Sequence, residues 1–166
     1  MPQSAKVAAA SGALLDRSGK ILSGPTFARP PFFHPENPMR NLPYGCLDVM
    51  DEVSPTGFVC GAFFCLDLKC SPGMNPDFFL YFEDIEMGLR LLENSYRIGF
   101  VPGARAVHLE SGASGGGMTA RGVRYRLGGL KTLLRLRKSG MIQKILAFGW
   151  HGLRLFALWI KGGMKI

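Results

Sequence analysis

The residues best suited to chemistry lie where an aromatic run meets two adjacent carboxylates. Residues 78–84 read Phe-Phe-Leu-Tyr-Phe-Glu-Asp, so Glu83 and Asp84 directly follow a segment rich in apolar rings. A carboxylate at the rim of an apolar wall is suited to act as a general base, because it can take a proton from a reacting hydroxyl. Helix capping is the alternative interpretation, since exposed amides and the helix dipole favour acidic side chains in any first turn.

The local pattern predicts the elements that would position this pair. Apolar side chains recur at i, i+4 and i+7 from Ile85, which predicts a helix over 83–93 that opens with the carboxylates. Residues 96–101 then predict a strand, Pro102-Gly103 a turn, and residues 104–109 a second short strand. The acidic pair is therefore expected at the start of a helix that leads into a sheet.

A histidine and a pliable segment follow these strands. His108 lies near the end of the second predicted strand, and residues 111–117 are Gly and Ser with one Ala. Neutral imidazole is a common metal ligand, and glycine lets backbone amides approach anions closely. The alternatives are a hydrogen-bonded structural histidine and a plain linker, and both stay open at this point.

In this order, these residues resemble the C-terminal half of the catalytic domain of family 2 glycosyltransferases, particularly the rhamnosyltransferase-like members. The resemblance runs from about residue 7 to about residue 138. Six blocks carry it: an Asp-Gly turn at 16–19, Gly61-Ala62, the aromatic-acidic block 78–84, residues 90–96, Val101-Pro102, and 108–114. It implies an α/β fold with a partial A-type, Rossmann-like mixed sheet and a C-terminal amphipathic helical tail.

The motifs of a nucleotide-binding half do not occur in the sequence. There is no Asp-x-Asp, no Gly-x-Gly-x-x-Gly and no Gly-Lys-Ser phosphate loop in the 166 residues. The resemblance therefore implies an incomplete enzyme, in which residues 1–138 are the acceptor-side part of a catalytic domain. The family's acidic pair before the aromatic block is also replaced here by Asn75-Pro76.

The resemblance implies an inverting transfer from a nucleotide-sugar donor to a hydroxyl of a glycan or lipid-linked acceptor. Asp84 would be the general base and Glu83 would orient the acceptor, with the reverse assignment left open. His108 would bind a divalent metal, Mn or Mg, in the complete enzyme. Substrate binding is expected from five further residues: Gly61, Ala62, Tyr81, Arg121 and Arg124.

The C-terminal quarter is strongly cationic. From Arg121 onward there are 11 of the chain's 20 basic residues and no acidic one, and the formal net charge of the chain is +8. Residues 139–166 predict a basic amphipathic helical tail, whose polar side chains fall within roughly a 100° arc at helical pitch. A membrane span is disfavoured, because Arg154 near its centre would cost about 2.5 to 3.5 kcal/mol.

Two interpretations of the tail remain open: an interfacial helix on an anionic membrane, and a helix packed on its own domain. Nucleic acid is disfavoured as a partner, since the aromatic side chains lie on the apolar side of the tail and no binding motif occurs. A non-catalytic, truncated relative that acts as a membrane-surface or protein-interaction module is the alternative function. The expected location is the cytoplasm, peripherally at the inner face of the plasma membrane.

Length and composition agree with a single domain or part of one. Residues 5–21 suggest a strand followed by a turn, the proline-rich residues 24–45 a surface loop, and residues 56–68 a buried strand. The four cysteines lack Cys-x-x-Cys spacing, which favours reduced packing residues over a zinc site.

Overall fold

The computed structural model of the protein describes residues 6–71, 73–109 and 119–160. These ranges form a mixed sheet of five strands and three α-helices, so the predicted α/β class is confirmed. The elements are β1 (Val7–Leu15), β2 (Ile21–Ser23), a 3-10 helix (Tyr44–Leu47), β3 (Ser54–Pro55), β4 (Phe64–Leu66), α1 (Glu83–Glu93), β5 (Arg97–Val107), α2 (Ala120–Leu136) and α3 (Met141–Ile160).

Strand β1 is the centre of the sheet. It pairs in parallel with β5 along its whole length, and antiparallel with β2 near its C-terminal end and with β4 nearer its N-terminal end. β3 pairs antiparallel with β5, which gives the order β2-β1-β5-β3 with β4 beside β1. Nearly every residue of β1 is buried, as expected for a central strand covered on both faces, and its small side chains fit that position.

The chain packs as two compact units. Unit 1 comprises Met1–Phe27, Pro35–Asn75 and Asp84–Leu109, and it holds the sheet and most of α1; unit 2 comprises Ala28–His34, Pro76–Glu83 and Glu110–Ile166, and it holds α2 and α3. Unit 1 has two apolar clusters. The first joins α1 to the sheet through Ala8, Ala9, Val59, Met87, Leu91 and Ile98, and the second comprises Ala13, Leu15, Ile21, Leu47 and Phe100.

Unit 2 is built on its two helices. The hydroxyl of Thr119 caps α2 by accepting a hydrogen bond from the amide of Gly122 at 3.1 Å. After α2, Lys138 takes a left-handed conformation with φ 50, a common way for a helix to end. Leu130, Leu133 and Leu134 of α2 and Ala147 of α3 are fully buried.

The prediction of two strands separated by a turn at Pro102-Gly103 is wrong, because β5 passes through these residues as one strand. Gly12 of β1 pairs with Val101 of β5, and the next residue, Ala13, pairs with Arg105. The three residues 102–104 of β5 therefore have no partner on β1 and form a bulge. A β-carbon on Gly12 would lie 2.3 Å from the carbonyl oxygen of Ala104. Because Gly12 has no side chain, β1 leaves room for this bulge.

The prediction of one buried strand over residues 56–68 is also wrong, since only β4 forms there. The hydroxyl of Thr56 donates to the carbonyl oxygen of Thr26 and accepts from its amide, both at 2.9 Å. These side-chain bonds replace a strand ladder. Gly61 and Ala62, expected on that strand, are exposed and form the middle of a turn.

Candidate functional site

The segment immediately before α1 has a strained backbone. Tyr81 and Phe82 are both left-handed, with φ 69 and φ 73, although neither is glycine. Such residues cost on the order of 1 to 3 kcal/mol each and are found mainly at functional sites. The two strained residues directly precede Glu83 and Asp84, which makes this segment a candidate functional site.

Helix α2 holds this segment in place within unit 2. The guanidinium of Arg126 lies 4.6 Å from the ring centroid of Tyr81, a cation–π contact. The ring of Phe79 lies 5.0 Å from that of Tyr125. The carboxylate of Asp77 accepts a hydrogen bond from Arg135 at 3.0 Å. Three side chains of α2 therefore contact this segment, at residues 77, 79 and 81.

The first turn of α1 presents the two carboxylates in different environments. Among the described residues, the Oε2 atom of Glu83 is buried and has no hydrogen-bond partner. The Oδ1 atom of Asp84 accepts a hydrogen bond from the amide of Ile85 at 2.8 Å, and the side chain is partly buried. A buried carboxylate oxygen without a donor is costly, so Glu83 holds an unfilled acceptor site.

The third acid of this turn is bound within the protein. Arg90 donates two hydrogen bonds to the carboxylate of Glu86, from Nε to Oε1 at 3.1 Å and from Nη2 to Oε2 at 3.3 Å. The same guanidinium donates to the hydroxyl of Ser71 at 3.1 Å and to the carbonyl oxygen of Gly73 at 2.7 Å. Arg90 thereby ties α1 to the loop before the aromatic run. This ion pair was not predicted from the sequence, although its i, i+4 spacing is a recognisable signal.

A histidine cluster in unit 2 was also missed. The ring of His151 lies 6.0 Å from that of His34 and 5.6 Å from that of Phe82, and its Nε2 atom lies 2.9 Å from the carbonyl oxygen of Phe32. Burial and the nearby charge of Arg154 lower the pKa of His34 to about 4. Burial also lowers the pKa of His151, against the effect of its hydrogen bond to Phe32.

The other predicted site residues are exposed. Arg121 and Arg124 are exposed on α2 near its start, and the arginine that lies over the Tyr81 ring is Arg126. His108 follows β5, and its amide donates to the carbonyl oxygen of Leu15 at 2.8 Å. Residues 111–117, the predicted glycine-rich loop, fall outside the described ranges.

Metal ligands do not converge in the described part of the chain. No three His, Cys, Asp or Glu side chains lie close enough together there to hold an ion. The described residues therefore do not form a metal site on their own.

Comparisons with known proteins leave the family open. No protein-family model, no curated protein and no solved structure matches the chain. Of the helices between residues 6 and 160 that the structure describes, none combines the length and apolarity needed to cross a membrane.

Proposed function

We propose that this chain is the acceptor-side part of an inverting, A-type glycosyltransferase that moves a sugar from a nucleotide-sugar donor to a glycan or lipid-linked hydroxyl. The observation that carries the proposal is the buried Oε2 of Glu83, which has no partner in the described residues and follows two strained residues. An acceptor hydroxyl is a hydrogen-bond donor of the kind this oxygen lacks, and the Glu83 side chain, which is partly exposed as a whole, turns to meet it when the acceptor binds. The resemblance of residues 78–84 to family 2 enzymes supplies the reaction.

The sheet is compatible with this assignment. β1 and β5 run parallel, and α1 precedes β5 in the chain as a crossover helix does in Rossmann-like folds. Antiparallel β2, β3 and β4 make the sheet mixed, as expected for an A-type domain. These features support the fold expected from the resemblance.

The proposed chemistry needs one base and one orienting group. Glu83 accepts a hydrogen bond from a hydroxyl of the acceptor and so fixes its direction. Asp84, whose carboxylate is oriented by the amide of Ile85, takes the proton as that oxygen attacks the anomeric carbon. The bond from that carbon to the nucleoside diphosphate breaks, and the configuration inverts.

Backbone strain and preorganisation connect the fold to this chemistry. The contact of Arg126 with Tyr81 and the close approach of α2 hold the backbone just before Glu83 within unit 2, so that backbone is already in place when the acceptor binds. Donor recognition is assigned to a nucleotide-binding half outside these residues, and His108 is the proposed contribution of this chain to a metal bound there.

Nuclear magnetic resonance can test acceptor recognition on the chain itself. Neutral saccharides and glycolipid headgroups are titrated into labelled protein, and the amide signals of residues 79–86 are followed. The proposal expects at least one acceptor to shift these signals, and Glu83→Gln to weaken that binding about tenfold, as expected on losing a hydrogen bond to a charged group. Glu93→Gln, at the other end of α1, is the matched control and leaves the binding unchanged. If no saccharide in a broad panel moves these amides, the acceptor-side assignment is wrong.

A further inference from the structure

Helix α3 packs with its polar side inward. Ala147 is fully buried and His151 is 4% exposed, while Gln143 and Leu155, one turn before and one turn after them, are partly buried. The contact of His151 with the carbonyl oxygen of Phe32 anchors this stripe within unit 2. A helix of a soluble domain ordinarily buries its apolar stripe, so the orientation of α3 is inverted.

The outward side of α3 is apolar throughout. At helical pitch its described side chains cover an arc of roughly 140° without a single charged residue. The arc contains Met141, Ile142, Ile145, Leu146, Gly149, Gly152, Leu153, Phe156 and Ile160, and its large side chains are all exposed. Single exposed apolar residues are ordinary, but a continuous stripe along 20 residues indicates a surface that something else covers.

Charge indicates the chemistry of that cover. By sequence, unit 2 carries 12 basic and 3 acidic residues, a net charge of +9, whereas unit 1 carries 8 basic and 9 acidic residues, a net charge of −1. The whole positive excess of the protein therefore belongs to the unit that exposes the apolar stripe. Lys144 and Arg154, both exposed, fall at helical pitch on the same side of α3 as its buried stripe, opposite the apolar arc.

We propose that α3 lies flat on an anionic membrane, with its apolar arc at the boundary between headgroups and acyl chains. The long side chains of Lys144 and Arg154 reach back toward lipid phosphates, and the other cations of unit 2 add long-range attraction to the surface. A second copy of the chain is a poorer cover, because pairing α3 with itself would bring two strongly positive units together.

Vesicle sedimentation of the whole chain tests this proposal. The vesicles are phosphatidylcholine alone, or equal parts of phosphatidylcholine and phosphatidylglycerol. Binding to the anionic vesicles is expected to be at least about tenfold tighter, since each cation near the surface adds about 1 kcal/mol, and to weaken as salt rises. Ile145→Glu, on the arc, is expected to weaken binding about tenfold or more.

Leu68→Glu is the matched control for that variant. Leu68 is 75% exposed and Ile145 is 64% exposed, so both substitutions add one charge at an exposed apolar position, but Leu68 lies in unit 1. The proposal expects Leu68→Glu to bind vesicles like the wild type, and circular dichroism to show all three proteins folded. Arg154→Gln is expected to weaken binding to anionic vesicles only.

Three results would overturn the proposal. The first is a wild-type chain that binds neither vesicle. The second is binding that Ile145→Glu and Leu68→Glu change equally. The third is a concentration-dependent dimer in sedimentation velocity that Ile145→Glu abolishes while vesicle binding is absent, which would assign the stripe to a second copy. None of these results bears on sugar transfer, so this inference and the proposed function fail separately.

Discussion

A β-carbon on Gly129 would lie 2.3 Å from the carbonyl oxygen of Tyr81. The same carbon would lie 3.1 Å from a ring carbon of Phe82, so α2 meets both left-handed residues at a position with no side chain. The strained segment that precedes the carboxylates is therefore held by a close contact with a glycine of α2.

Gly129→Ala is expected to disturb this contact. The added methyl group has to displace the backbone of Tyr81, and overpacking of this kind typically costs about 1 to 3 kcal/mol of unfolding free energy. Gly128→Ala is the control, because nothing lies within 4 Å of a β-carbon there and alanine favours a helix by about 0.5 to 1 kcal/mol. Denaturant unfolding should move the two variants in opposite directions. Equal stability of both would show that the contact does not constrain the segment.

Breaking the ion pair of Glu86 and Arg90 is expected to destabilise the protein at least as much as Gly129→Ala. Glu86 is 6% exposed, so Arg90→Met leaves a buried carboxylate without its partner. The free energy of unfolding is expected to fall by about 3 kcal/mol. This is the low end of the range for buried ion pairs, because Arg90 is partly exposed. Arg97→Met, at an exposed position, should stay within about 0.5 kcal/mol of wild type.

A double variant separates the pair from general packing effects. Glu86→Leu combined with Arg90→Met removes the charge together with its partner, and it is expected to be more stable than Arg90→Met alone. If the free energy of unfolding lost in the double variant equals the sum of the losses in Glu86→Leu and Arg90→Met, the two residues act independently.

The histidine cluster predicts that stability falls as pH is lowered from about 6.5 toward 4. Burial, together with the charge of Arg154, lowers the pKa of His34 to about 4 in the folded protein. Between that value and the ordinary pKa near 6.5, the unfolded chain binds more protons than the folded one, so protonation favours unfolding. The lowered pKa of His151 acts in the same direction.

Thermal unfolding between pH 7.5 and pH 4.5 measures this effect. His34→Gln is expected to flatten the decline in melting temperature, whereas His108→Gln, at an exposed histidine outside the cluster, should follow the wild-type curve. A melting temperature that declines equally in wild type and His34→Gln would rule out His34 as a source of the pH dependence.

Local pattern predicts part of this fold well. The helix over 83–93 forms with the bounds that its apolar spacing indicates, and β1 with its following turn lies where residues 5–21 predict. The Pro-Gly pair at 102–103 predicted a turn, but it lies in a bulge of β5. Which of the two forms depends on Gly12 of another strand. The inward face of α3 was equally hidden, since His151 is buried by contacts with Phe32 and Phe82, which lie far away in the sequence.

The candidate site also has some features that the sequence predicts and others that depend on tertiary contacts. The adjacency of Glu83 and Asp84 is visible in the sequence, and so is their place at the start of a helix. The strain at Tyr81 and its contact with Arg126 are tertiary properties, set by how the segment lies along α2. Residue types alone do not distinguish Arg126 from the other arginines of that helix.

Sugar transfer by the proposed complete enzyme, with the donor-binding half supplied in the same chain or separately, is the decisive test of Asp84 as the general base. Asp84→Asn is expected to lower turnover by about 10² to 10⁴-fold while donor affinity is unchanged, because the asparagine cannot accept the proton of the acceptor hydroxyl. Glu93→Gln should keep wild-type turnover. Equal turnover by wild type and Asp84→Asn would remove Asp84 from the role of general base.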